Sequence, residues 1–185
     1  MKTPRIAVFA FGLTAFALLG TAVSAAPLAS NANDQKYLTQ IAQATFTDTA
    51  LIQAAQRQGT PAVQQFIQTL SQDRDSSNSQ LQGLAQQKSI TLPTQISDAD
   101  KAAVTQATQR KGAEFDKAFL EQELALNGDA ASATRQELRM TTDPEIKKFA
   151  TAALKTEEAH MERARTLLGL LGGSDEVGLA SVPRS

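Results

Sequence analysis

The chain has no cysteine and no tryptophan, and only one tyrosine and one histidine among its 185 residues. Without cysteine there is no thiol catalysis, no disulfide and no thiolate metal site. A single His leaves Ser–His or Cys–His nucleophilic chemistry little to work with, so no catalytic residue is expected. Excess charge of one sign is missing too. The formal net charge is −1, which gives no electrostatic case for nucleic acid or an anionic membrane surface. What remains is rich in Gln and Ala, with 20% charged residues, a soluble helical composition. Its length fits one domain once the N-terminus is set aside.

That N-terminus reads as a secretory signal over residues 1–25. Lys2 and Arg5 supply the positive end, Ile6 to Gly20 is an apolar run, and Val23-Ser24-Ala25 offers small residues for cleavage after Ala25. The alternative is a retained anchor, but the run is shorter than the roughly 20 residues a spanning helix needs. No Cys follows it, which excludes a lipoprotein anchor. The expectation is export, to a bacterial periplasm or beyond, with no membrane span after cleavage. Residues 26–33 (APLASNAN) read as a flexible mature terminus.

From Asp34 onward the apolar residues keep helical spacing. Asp34 can cap a first long helix running to about Arg57, with Tyr37, Leu38, Ile41, Leu51 and Ile52 on its stripe. Gly59-Thr60-Pro61 ends that helix and starts the second: Gly past the end, Thr as N-cap, Pro at the first position. Phe66, Leu70, Ser77, Leu81 and Leu84 form the second stripe. Ser89 to Ser97 contains Pro93, lacks the period and reads as a crossover, followed by a modest helix from Ala99 to Gln109. A third long helix starts near Gly112 and carries Phe115, Phe119, Leu126, Ala130, Ala133 and Leu138, with a bend plausible at Gly128. Thr142-Asp143-Pro144 opens the fourth, whose stripe is Ile146, Phe149, Ala153, His160, Ala164 and Leu167. PAVQQFIQTL from Pro61 and PEIKKFATAA from Pro144 share Pro, a β-branched third residue and Phe at the sixth, by duplication or by chance matching of capped helices. Two antiparallel helix pairs joined by a long crossover make an all-α, ferritin-like antiparallel four-helix bundle over residues 34–171. Residues 172–185 read as a disordered tail.

Each stripe is interrupted at its centre by polar groups: Asp48, Asp73-Arg74, Glu123 with Asn127, and Glu157 with His160. Di-metal bundles need a Glu from each of two helices and a Glu-x-x-His from each of the others. Glu157-Glu158-Ala159-His160 supplies that spacing once, and Arg74 and Ser77 cannot supply its counterpart. An interior Asp48–Arg74 pair would satisfy both groups by bidentate hydrogen bonding. Arg74 cannot give up its proton and repels cations. No metal or other cofactor is therefore expected, the candidate ligands for iron, manganese or zinc being Asp48, Glu157 and His160.

The segments just quoted resemble a known family. From Tyr37 to Leu168 the chain is similar to exported bacterial proteins grouped as domain-of-unknown-function family 4142, whose fold is ferritin-like. The likeness rests on Tyr37-Leu38 followed by Asp48, on VQQFIQTLSQDR from Val63, on ITLP from Ile90, on GAEFD from Gly112, and on IKKFA from Ile146 with the later His160. The resemblance implies metal-binding positions at Asp48, Arg74, Asn127 and His160. Arg74 stands where that family commonly has His, and Asn127 lies near another of its His positions, so two of the four cannot act as ordinary ligands.

Three readings of function follow. The first is a non-enzymatic exported bundle, stress- or envelope-associated, with a degenerate metal site. The second is a metal-binding or redox bundle using His160 with Glu157, Asp48 and Glu123. The third, a helical partner-binding module, needs a surplus of apolar residues outside the inward stripes, and the sequence has none. Partner and oligomeric state are not specified by these patterns.

Overall fold

The computed structural model describes residues 32–180. The signal segment over 1–25 and residues 26–31 of the mature terminus lie outside the described residues, as do residues 181–185. The described chain is all-helical: α1 (Ala32–Gln58), α2 (Pro61–Gln87), α3 (Asp98–Thr108), α4 (Gly112–Met140) and α5 (Pro144–Ala180). At 1.5 Å per residue, α1 and α2 are each about 40 Å long.

Every long helix packs on two others. α1 lies against α2 and α4, α5 lies against the same two, and α3 rests on α1 and α4. Paired residues fix the directions. Asp48 meets Arg74 and Gln56 meets Ser71, so α1 and α2 run antiparallel. Thr134 meets Glu157, and a Cβ on Gly128 would stand 3.9 Å from Met161 Sδ, so α4 and α5 do as well.

The apolar stripes close into two clusters rather than one. Leu51, Phe66, Leu70, Phe119, Leu120 and Leu167 belong to the first. Leu38, Ile41, Leu81, Leu84, Ile146 and Phe149 belong to the second. On each long helix the polar residues noted above fall between the two sets, so the layer that separates them is polar. Phe115 stacks on Phe119 at 6.2 Å between ring centres, and Tyr37 meets Phe149 edge-on at 6.3 Å.

Helix ends follow local chemistry, with two differences from expectation. Asp34 is not the cap of α1: it lies in the first turn, only 2% exposed, where its carboxyl meets Glu137. Asp143, just before Pro144, caps α5, accepting from the amides of Glu145 at 2.9 Å and Ile146 at 3.2 Å. The backbone of α5 continues past Gly169 and Gly172 to Ala180, beyond the end those glycines predict. Gly128 does not interrupt α4. Thr60 caps α2 as its position implies, and the buried Asp116 accepts from both its amide and its hydroxyl.

The turn between α1 and α2 needs a glycine. A Cβ on Gly59 would stand 2.7 Å from Ile67 Cδ1 and 2.8 Å from the Ala55 carbonyl oxygen. Gly59→Ala is therefore expected to destabilise by about 1–3 kcal/mol through overpacking. Urea unfolding measures it, and an unchanged midpoint would mean that the turn relaxes freely.

Candidate functional site

At mid-height α1 supplies Asp48, α2 Arg74, α4 Glu123 and Asn127, and α5 Glu157 and His160. Asp48, Glu123 and Asn127 are at most 1% exposed, Glu157 3% and His160 4%. Arg74 ties the layer together. Its Nε pairs with the Asp48 carboxylate, and its Nη2 donates to Asn127 Oδ1 at 2.8 Å. Asn127 passes the chain on, its amide donating to the Glu123 carbonyl at 2.8 Å and to the Glu123 carboxyl at 3.2 Å. Burial first, and the Asp48 charge second, push the Glu123 carboxyl well above the ordinary carboxylate range. Burial beside Asp48 thus favours the protonated form of Glu123. Burial pulls the Arg74 guanidinium down, but the Asp48 charge beside it outweighs that and leaves its pKa raised.

On α5 the two polar groups are handled differently. His160 Nε2 lies 2.8 Å from Asp73 Oδ2. Burial lowers the His160 pKa against the opposing pull of Asp73, so the neutral ring donates from Nε2 and leaves Nδ1 a bare acceptor. That Nδ1 has no hydrogen-bond partner. Asp73 itself is not interior: its side chain is 43% exposed at the edge of the layer. Glu157 accepts from Thr134 at 3.2 Å, and Thr134 is in turn 3.3 Å from the Tyr37 hydroxyl. The second Glu157 oxygen, Oε2, has no hydrogen-bond partner among the described residues. Burial raises Glu157 to about 7.

Thr134, Tyr37 and the Asp34–Glu137 carboxyl pair escape a reading of the sequence. Thr134 follows Asn127 by two helical turns on the same face, the one signal available for it. Burial, then the Asp34 carboxyl, raises Glu137 to about 7.

The layer is poorly built for a cation. The guanidinium stands among the carboxyls with its own charge, and its partner Asp48 is already neutralised. Among the described residues no three His, Asp or Glu side chains gather into a group that could hold a metal ion. Asp48, Glu157 and His160 share the layer with Arg74 between them, so the residues present do not fit the metal that the family resemblance implies.

The class defined by these features is an all-helical protein with a charged, hydrogen-bonded layer between two apolar clusters. The chain belongs to the family described as domain of unknown function DUF4142, whose profile matches residues 19–167. No curated protein and no solved structure matches it. No described helix is long and apolar enough to cross a membrane.

Proposed function

We propose that this chain is an exported, ferritin-like four-helix bundle that acts in the bacterial periplasm or envelope without catalysing a reaction, and whose central metal site has been closed by Arg74. The observation that carries this reading is the Arg74 guanidinium, paired with Asp48 and hydrogen-bonded to Asn127 where a cation would have to sit. Connectivity supports the ferritin-like part. The chain leaves α2 at Lys88, which pairs with Asp143, and enters α4 beside the α1–α2 turn, where Asp116 meets Thr60. Residues 89–111 thus carry it from one end of the bundle to the other. The charged N-terminal end, apolar run and small-residue cleavage site support export.

One observation favours a metal-binding or redox alternative. Glu157 Oε2 and His160 Nδ1, three residues apart on one helix face, are both buried acceptors without a partner. Metal analysis of protein purified without chelator separates the two. The proposal expects no stoichiometric iron, manganese or zinc and no stabilisation on adding them. About one or two ions per chain, lost in His160→Ala, would overturn it.

A further inference from the structure

Of the neighbouring long-helix pairs, α2 and α5 are the least closely packed. The residues that face each other across them are small: Ser76, Ser77 and Gly83 on one side, Ala152 and Ala153 on the other. Small side chains at facing positions leave a gap. It forms a cleft of about 100 Å³ that reaches inward to Arg74 and Glu157, with Asp73 on its wall. The cleft continues along the helices into a groove of about 290 Å³ that ends at Glu145 and Lys148, Phe149 and Ala152 lining both parts.

A stripe of small residues would be a packing feature and nothing more. Glu157 makes it a binding site. Its carboxyl is 3% exposed, it lines the inner cleft, and its Oε2 has no hydrogen-bond partner. A buried acceptor in that state costs free energy until a donor arrives. The charges at the inner end name the donor. Arg74 is balanced by Asp48, and Asp73 faces a neutral His160. Asp73 and Glu157 therefore lack an ion-pair partner of their own, the charges of Arg74 and Arg135 acting on Glu157 without pairing with it, and Phe149, Ala152 and Ala153 make the wall beside them apolar.

We propose that this cleft binds a slender organic ammonium ion, its head between Glu157 and Asp73 and its alkyl stem along Phe149, Ala152 and Ala153. The ammonium group supplies the missing donor and the countercharge, and the stem fills a gap too narrow for a branched ligand. The inference goes beyond the metal-free reading and rests on it only in that Glu157 must be free of metal.

The test is titration of the purified, chelator-treated protein with hexylammonium, with hexanoate and 1-hexanol as matched probes, read by thermal shift and amide NMR. At pH 8 Glu157, raised to about 7, carries its charge. Hexylammonium is expected to bind saturably and raise the melting temperature, and neither matched probe is expected to do so. Glu157→Gln keeps the shape of the side chain and should weaken binding at least about tenfold, the scale of one charge-assisted hydrogen bond. Ala153→Phe should block binding while the helical circular dichroism is kept. Equal binding of hexanol would reduce the cleft to an apolar groove, preference for hexanoate would make Arg74 the reader, and no binding of any probe would remove the site. Each of these overturns the inference and leaves the closure by Arg74 standing. Resident metal found before chelation would sink the closure instead.

Discussion

Arg74→Ala is expected to destabilise the protein by about 3–5 kcal/mol, the scale of breaking a buried ion pair from one side. The size follows from what is left behind. Asp48 is 1% exposed and loses its counter-charge. Asn127 Oδ1 loses the donor at 2.8 Å, and the chain through Asn127 to Glu123 loses its anchor. Arg74→Lys keeps the charge but not the planar fork that reaches Asp48 and Asn127 together, and an intermediate loss is expected. Urea unfolding of the three proteins measures this directly. A loss below about 1 kcal/mol for Arg74→Ala, the range of solvent-exposed pairs, would place the guanidinium in water and remove the argument for a closed centre.

The same pair explains why some of the site is legible in the sequence. Amphipathic spacing of Leu, Ile and Phe declares a helix face, and a charged residue in the middle of that face is conspicuous because burial penalises it. Asp48, Arg74, Glu123, Asn127, Glu157 and His160 stand out in this way, and the structure brings them into one layer. Asp73 was grouped with them by adjacency. Successive residues on a helix point about 100° apart, and with Arg74 turned inward Asp73 lies at the edge with His160. Tyr37, Thr134 and the Asp34–Glu137 pair were hidden for the opposite reason. Tyr and Thr are ordinary on a helix face, and a carboxyl near a helix end looks like a cap or a solvated charge. Only the register between α1 and α4, which no single helix encodes, sets Tyr37 on Thr134. The α2–α5 cleft is a subtler case. Serine, glycine and alanine at Ser76, Ser77, Gly83, Ala152 and Ala153 read as permissible helix positions, and they become a cavity only when two small faces meet.

Stability should fall as pH rises from the acid side through neutrality, by roughly 3 kcal/mol over the whole window for Glu157 alone. The sign comes from burial. Glu157 is raised from 4.5 to about 7, so the native state holds a proton that the unfolded chain has given up. The stability this contributes is fully present below the unfolded pKa and is lost as pH climbs through about 7. Glu137, raised to about 7, and Glu123, raised well above the carboxylate range, act in the same direction. Two groups oppose them on the acid side. His160 is held neutral by burial, so its contribution is lost as pH falls below the ordinary imidazole value of about 6.5. Asp143 has its pKa lowered, the Lys88 and backbone hydrogen bonds outweighing its burial, and its contribution disappears in stronger acid. The optimum is therefore mildly acidic. Between pH 8 and pH 6 the gain from Glu157 alone is slightly above 1 kcal/mol. Urea midpoints across that range test it, and Glu157→Gln should flatten the profile by raising stability at pH 8 while changing little at pH 6. A profile that rises with pH, or one that the substitution leaves untouched, would mean that Glu157 is ionised in the native layer, paired with a cation that Arg74 does not exclude.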